Sequence, residues 1–322
     1  MRTLVVALGV AVGGCAAAPA AEVQAPRRER GDAVAETRGL IDEAYQALRI
    51  GKPTNLMGLL APDVFFIGPG PDQVGLDRTD ALALGRDLID TRRQKHKLRS
   101  RRLEVIAGPD GRTAYAFDQL AYDGADLAVT AVATELDGLW SLTMVAVLPA
   151  VGKRGLDRGV APGALPGWTP PPGRHAAHAD APREILAALA VAADDVEARL
   201  QQLGDEPDGA FVGPVVDAVA IGPKRLRKAW KQLAPRWTVA ASLGGASPDG
   251  GLVWVVGNAA VVPPPVRAKR ATRDRAVAPP VEPAAPTSAG APRRLLALYR
   301  RDGAAAAGWR LVLLNEAIVL AP

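Results

Sequence analysis

The chain has little of the residues that build covalent or metal-based sites. It contains one cysteine and three histidines among its 322 residues. A single cysteine cannot form an intramolecular disulfide, so the fold must depend on its core alone. His175 and His178 lie three apart in a proline-rich stretch without preset geometry, which argues against a metal site. The chain also lacks a phosphate-cradling loop and a nucleophile motif, and we predict no metal and no cofactor.

The one cysteine, Cys15, follows a short apolar segment. Met1-Arg2 carries a positive charge, residues 3–12 are apolar, and Val12-Gly13-Gly14 precedes Cys15. A charged start, an apolar stretch and small residues at the cut site are typical of a secretory signal. The segment resembles the signal and lipobox of bacterial lipoproteins, which implies a signal peptide over residues 1–15 and acylation of Cys15.

The segment after Cys15 predicts a tether rather than a folded element. Residues 16–35 are rich in alanine and proline and have no apolar period. Ala16 and Ala17 replace the acidic residue that retains lipoproteins in the inner membrane of many didermic bacteria. The resemblance therefore implies an outer-membrane anchor facing the periplasm. An uncleaved transmembrane helix over residues 3–21 is the alternative, and its glycines and Pro19 argue against it.

Composition divides the rest of the chain into two similar halves. Residues 151–181 are rich in proline and glycine and predict a linker between domains at 36–150 and 182–322. The sequence pattern of residues 62–69 recurs at residues 216–223, and both segments end in Ile-Gly-Pro. Pro-Asp-Gly turns and tryptophan-led final strands follow in the same order in both halves. We interpret this as a divergent tandem duplication.

Apolar periodicity predicts a helix, a strand, a second helix and then a meander of strands in each half. The first helices are predicted at residues 35–50 and 183–203. The strands are predicted at residues 64–67, 98–106, 113–122, 127–136, 139–148, 216–221, 237–243, 252–262, 294–300 and 309–320. Residues 263–292 are too polar and proline-rich to pack and predict a disordered loop insertion.

This order of elements resembles the nuclear transport factor 2-like superfamily, and the SnoaL-like and ketosteroid isomerase branch most closely. The resemblance is carried by residues 59–69 and by Asp137-Gly138-Leu139-Trp140, with counterparts in the second half. It implies an α+β fold of two tandem cone-shaped domains. Each would be a curved antiparallel sheet wrapped around helices, with an apolar pocket.

The resemblance does not extend to the isomerase's acids. The family's base precedes the proline of the motif, where this chain has Gly68 and Gly222. The strand that carries a protonated aspartate in ketosteroid isomerase has no acid at residues 130–134 or 295–299. Tyr45 falls one residue from the position of the family's hydrogen-bonding tyrosine, and we predict it as a candidate ligand contact. Isomerase chemistry of that kind is therefore unfavoured.

Two other acids, and two side chains that share one strand face, are candidates for lining a ligand pocket. Asp118 shares a strand face with apolar residues, where it is either a pocket base of raised pKa or an exposed acid. Glu316 alternates with Val312 and Leu314 and is either paired, pocket-lining or at an interface. Asn258 and Trp254 share one strand face and are candidate ligand contacts.

Positive charge is concentrated in two stretches. Residues 92–102 are strongly basic, and Lys97, Arg99 and Arg101 alternate along one predicted strand face. Lys224, Arg225, Arg227, Lys228 and Lys231 mark a helix in the second half. On an exported protein such patches fit anionic envelope polymers rather than nucleic acid. A solvated face is the alternative.

These observations predict a lipid-anchored envelope protein without catalytic activity. It would bind an apolar small molecule or serve as an assembly module. A cyclase or isomerase with Asp118 or Glu316 as general base is the enzymatic alternative. In a structural alternative, the two halves pack sheet to sheet as a pseudo-dimer without a ligand.

The lipid anchor is testable through the one thiol. We expect Cys15→Ser to prevent both acylation and membrane attachment, because no other cysteine can accept the lipid. Metabolic labelling with palmitate, followed by membrane fractionation, measures both effects. Label that persists in the Cys15→Ser protein would show that the anchor lies elsewhere.

Overall fold

Three helices and thirteen strands form the regular structure of the described residues. This computed structural model describes residues 32–70, 73–89, 95–152, 209–233, 236–247, 249–262, 290–302 and 308–319. The helices are α1 (Ala33–Arg49), α2 (Arg78–Leu88) and α3 (Pro223–Leu233), with a 3₁₀ helix at Pro53–Gly58. The strands are β1 (Leu60–Ile67), β2 (Val74–Gly75), β3 (Leu98–Ser100), β4 (Glu104–Ala107), β5 (Thr113–Tyr122), β6 (Ala125–Leu136), β7 (Leu139–Ala150), β8 (Ala210–Val212), β9 (Val219–Ile221), β10 (Arg236–Ala246), β11 (Leu252–Val262), β12 (Gly290–Arg301) and β13 (Trp309–Ile318). The predicted α+β class is confirmed.

Helix α1 forms where the sequence combines a capping residue with an apolar repeat. The Asp32 side chain accepts a hydrogen bond from the Val34 amide, which satisfies one free donor of the first turn. Its buried residues include Thr37, Ile41 and Tyr45, each four positions after the last. This spacing places them on one face of the helix. That face packs on the first sheet.

The first sheet is a mixed sheet in which the first and last strands lie side by side. Its strand order is β2-β1-β7-β6-β5-β3, and β4 also pairs with β5. Strand β1 runs parallel to β7, and every other pairing in this sheet is antiparallel. The β6–β7 turn contains Asp137 at φ 51° and Gly138 at φ 79°, as expected for the Asp-Gly signal.

The second sheet repeats this order. It runs β10-β11-β12-β13-β8-β9, with β8 parallel to the final strand β13. In both sheets a short hairpin, β1–β2 or β8–β9, pairs with the final strand and leads into a helix. Helix α3 begins at Pro223, whose fixed φ suits a first helical position.

The two sheets pack face to face across an apolar layer. Buried side chains from both sheets form one cluster, in which Phe65 lies 6.2 Å from Trp254 between ring centroids. On β5 the odd residues Tyr115 and Phe117 enter this layer, whereas Ala116 faces α1. Full burial of each large apolar side chain contributes about 1.5–3 kcal/mol, so this layer is a major source of stability. It is the packing expected of a pseudo-dimer.

Polar contacts between the two halves help to fix the position of one sheet on the other. The buried Arg294 donates from one guanidinium nitrogen to the carbonyl oxygens of Gly68 and Gly70, at 3.2 and 2.9 Å. Asn315 donates to the Thr130 hydroxyl at 3.2 Å. The Gln119 side-chain oxygen accepts from the Asp217 amide at 2.8 Å. Each bond also satisfies a polar group that would otherwise lose its hydrogen bonds to water.

Several predicted strands differ from the observed ones in detail. The predicted strand 98–106 is divided into β3 and β4, because residues 101–103 lie opposite only two residues of β5 and interrupt the regular pairing. The sequence did not predict β8, and in the second sheet β8, not residues 216–221, pairs with the last strand. In strand order, β8 holds the place in the second sheet that β1 holds in the first.

Several predicted segments lie outside the described residues. They are the signal peptide and most of the tether, the linker beyond Gly152, the helix at 183–203, and the loop up to residue 289. Strand β12 begins at Gly290, inside the loop predicted for residues 263–292. Among the described helices, none is long and apolar enough to cross a membrane.

The tight contact at Gly245 tests the inter-sheet layer. A Cβ at this position would lie 2.7 Å from three atoms of the buried Trp254 indole. We expect Gly245→Ala to lower the free energy of unfolding by about 1–3 kcal/mol, because the indole cannot withdraw from the layer. Urea denaturation measures the change.

The matched control is Gly58→Ala, where an added Cβ meets nothing within 4 Å. We expect this control to stay within about 0.5 kcal/mol of the unsubstituted protein. Equal stability of the two variants would contradict the proposed close packing at Trp254.

Candidate functional site

An apolar cavity of about 100 Å³ lies between the first sheet and its helices. Helix α1 lines it with Ile41, Ala44, Tyr45 and Leu48, and α2 lines it with Ala81, Gly85 and Leu88. The remaining lining residues come from the 3₁₀ helix and the sheet: Leu56, Leu60, Phe66, Leu120, Tyr122, Leu127, Val129, Ala131, Leu142, Val145 and Val147. Only Tyr45 and Tyr122 among these described side chains carry a polar atom.

One face of the first sheet packs on the second sheet, and the other faces the helices. The cavity lies on the helical face. On β6, Leu127, Val129 and Ala131 alternate and all point to the helical side. On α2, Gly85 lies on the buried face without a side chain, and an added Cβ there would meet only Leu56, at 3.7 Å. This missing side chain leaves space between α2 and the sheet.

A buried hydrogen bond joins two of the predicted site residues. The Tyr45 hydroxyl, on α1, donates to Asp118 Oδ2, on β5, at 2.9 Å. Asp118 is 1% exposed, so the interpretation of it as an exposed acid was wrong. Residues 73 positions apart meet here because the buried stripe of α1 packs across β5. Tyr45 lines the cavity, whereas Asp118 lies behind it.

The bulge between β3 and β4 supports Asp118. Residues 101–103 lie opposite Asp118 and Gln119, so the edge strand carries one extra residue here. The bulge turns the Arg102 amide toward Asp118, and it donates to Oδ1 at 3.0 Å. Both carboxylate oxygens of Asp118 therefore accept hydrogen bonds from the protein.

Burial raises the pKa values of both Asp118 and Tyr45. Burial raises the pKa of Asp118, and hydrogen bonds from Ser100, the Arg102 amide and Tyr45 oppose that rise. Burial, followed by the nearby Asp118 carboxylate, raises the pKa of Tyr45 well above its usual value. Tyr45 therefore keeps its proton at neutral pH and acts as a hydrogen-bond donor to Asp118.

A second polar pair, of a buried histidine and a half-buried aspartate, adjoins the cavity, and sequence reasoning missed it. His96 Nδ1 lies 2.6 Å from Asp123 Oδ2, and its ring stacks on Tyr122 at 5.4 Å between centroids. The side chain is fully buried, and its Nε2 makes no hydrogen bond to the protein. The only sequence signal was Asp123-Gly124, a pair typical of the turn between two paired strands. This turn joins β5 to β6, and Asp123 there contacts His96, just before β3.

Trp254 and Asn258 belong to the inter-sheet layer rather than to the cavity. Trp254 packs on Phe65, and Asn258 accepts a hydrogen bond from Arg294 at 3.5 Å. Both are buried on the face of the second sheet that meets the first. The structure therefore does not bring these two predicted ligand contacts to Tyr45 and Asp118.

Glu316 lies on the opposite face of the second sheet. The register shift at Leu298/Tyr299 reverses the alternation of β13, so Val312 enters the inter-sheet layer while Leu314 faces α3. Glu316 is paired with Arg293 at 3.1 Å and buried. The predicted grouping of Glu316 with Val312 was wrong for this reason.

The basic residues that the structure describes are mostly at the surface. Lys97, Arg99 and Arg101 are exposed beside the bulged edge, and Arg101 pairs with Asp126. On α3, four basic side chains are exposed: Lys224, Arg225, Arg227 and Lys228. Across the described ranges no cluster of three or more potential metal-ligating side chains occurs. Cys15 lies outside the described residues.

The comparison with protein families matches the part of the chain that forms the first sheet and its helices. A family model described as "SnoaL-like domain" matches residues 38–145. No curated protein matches the chain.

Several solved structures are similar to part of the chain. A protein with a cystatin-like fold from Caulobacter vibrioides is 16% identical, over 39% of this chain and 94% of its own, with a TM-score of 0.34. An NTF2-like protein from Pseudomonas putida KT2440 is 15% identical, over 38% and 89%, with a TM-score of 0.32. An NTF-2 like protein from Silicibacter pomeroyi DSS-3 is 14% identical, over 36% and 94%, with a TM-score of 0.29. On the family match, residues 38–145 of this chain are a SnoaL-like domain.

Proposed function

We propose that the SnoaL-like domain binds an apolar small molecule in the cavity between α1, α2 and the first sheet. The observation that carries this proposal is an almost wholly apolar cavity that the surrounding side chains leave unfilled. Protein interiors are normally close-packed, and an unfilled cavity loses the dispersion contacts that its lining would otherwise make. A ligand that restores those contacts stabilises the folded state.

The cavity volume limits the size of the ligand. An engineered apolar cavity of about 150 Å³ stays dry and binds benzene, whereas drug-sized ligands need roughly 300–1,000 Å³. At about 100 Å³ this cavity suits a small ring or the end of an alkyl chain. A steroid or a polyketide would require α1 and α2 to move away from the sheet.

The geometry favours binding over chemistry. A general base must reach the proton that it removes, either directly or through one water. Asp118 has both oxygens engaged, and the Tyr45 hydroxyl occupies the side nearer the cavity. Glu316 is on another face and paired with Arg293. The position of the family's base is Gly68, whose carbonyl accepts from Arg294 instead.

A cyclase or isomerase that uses Asp118 is the second candidate, and one observation favours it. Burial raises the pKa of Asp118, which makes its carboxylate a stronger base than an exposed one. Such an enzyme would need a ligand that displaces Tyr45 from Asp118.

We further propose that residues 182–322 are a second domain of the same kind, with a structural role. The repeated strand order and the shared apolar layer support this division. The second sheet would act as an internal assembly module, because it covers the outer face of the first sheet and leaves the helical face for the cavity.

The proposed location is the bacterial outer membrane, on the periplasmic side. Its support is the lipobox at Cys15 and the residues after it, as argued from the sequence. The exposed basic residues of α3 and of the β3 edge would then meet anionic envelope polymers or lipid headgroups.

Filling the cavity tests the proposed function. We expect Gly85→Leu to abolish benzene binding, because the new side chain extends from α2 into the cavity. Stability should not fall, since removing a helix-interior glycine contributes about 0.5–1 kcal/mol. Isothermal titration of the full chain with benzene measures binding.

The matched control is Gly39→Leu, which adds the same side chain to an exposed position of α1. This control should bind benzene as the unsubstituted protein does. Absence of benzene binding to the unsubstituted chain would refute the proposal, as would equal binding by the two variants.

A further inference from the structure

The Tyr45–Asp118 bond fixes the hydrogen-bonding role of one of the two tyrosine hydroxyls that line the cavity. A tyrosine hydroxyl has one proton to donate, and an ionised carboxylate can only accept. The Tyr45 hydroxyl uses its one proton in the hydrogen bond that it donates to Asp118 Oδ2. What Tyr45 can then offer to a ligand is a lone pair on its oxygen.

The surroundings of Asp118 hold it as an acceptor. The Arg102 amide can only donate, and it occupies Oδ1. The bulge at residues 101–103 fixes this amide in place, since it is part of the backbone. If Asp118 turned away, the Arg102 amide would lose this hydrogen bond, so the carboxylate is held in its observed orientation.

We infer that the cavity selects small apolar molecules that carry a hydroxyl or another hydrogen-bond donor, and discriminates against their carbonyl counterparts. This inference rests on the proposed binding function. A bound hydroxyl would donate to Tyr45 and extend the chain of hydrogen bonds to Asp118 and Arg102. A carbonyl would place its oxygen against the oxygen of Tyr45, and neither would have a proton to share.

Cyclopentanol and cyclopentanone test the inference. They share one carbon skeleton, and each has as many non-hydrogen atoms as benzene, so they differ chiefly in the donor. We expect the full chain to bind cyclopentanol about tenfold more tightly than cyclopentanone, because one buried hydrogen bond is gained or lost. Titration above neutral pH, which favours the ionised form of Asp118, gives the two dissociation constants and their ratio.

Two variants assign the preference to its cause. Tyr45→Phe should bind both probes with a ratio near one, since the acceptor is gone. In Asp118→Asn the side-chain oxygen stays on the Arg102 amide, so the amide NH₂ faces Tyr45. Tyr45 then accepts from it and turns its own proton to the ligand, and the ratio should move toward the ketone.

Tyr115→Phe is the matched control, because it removes the same hydroxyl from the inter-sheet layer, on the face of β5 away from the cavity. Its ratio should equal that of the unsubstituted chain. A preference lost in Tyr115→Phe but kept in Tyr45→Phe would overturn the assignment. A ratio near one, or a preference for the ketone, in the unsubstituted chain would overturn the inference itself. If benzene also fails to bind, the proposed function fails instead.

Discussion

The packing of one sheet on the other is the constraint from which the rest of the structure follows. It buries the odd residues of β5, such as Phe117, and leaves the even residues to face α1. Because strand residues alternate between faces, this one contact decides which side chains can reach a cavity. Asp118 is therefore buried beside Tyr45, while its neighbour Gln119 bonds the other half of the chain.

Much of this could be predicted from the sequence. The strand at residues 113–122 and the strand at 252–262 were predicted at their observed bounds, because alternation and flanking turns are local signals. The break between β3 and β4 could not be, since the bulge depends on Asp118 accepting the Arg102 amide from another strand. Strand β8 has only three residues, too few to show a period.

The candidate site was only partly predictable for the same reason. Asp118 and Tyr45 were each identified, but their contact depends on how α1 crosses β5. His96 stood in a basic run that predicted a solvated face, and its burial comes from Asp123 and the Tyr122 ring. Glu316 was correctly grouped with Leu314 but wrongly with Val312, because a register shift on β13 reverses the alternation between them. Long-range contacts and bulges leave no periodic signal.

The central claim is that the space between α1, α2 and the first sheet is a binding cavity and the inter-sheet layer is not. Nuclear Overhauser effects from benzene to labelled methyl groups of the full chain test it most directly. The account predicts effects at Val129, Val145 and Val147, which line the cavity. It predicts none at Val256, Leu296 and Val312, which pack between the sheets. Effects at the second set, or at neither set with benzene in saturating excess, would contradict it.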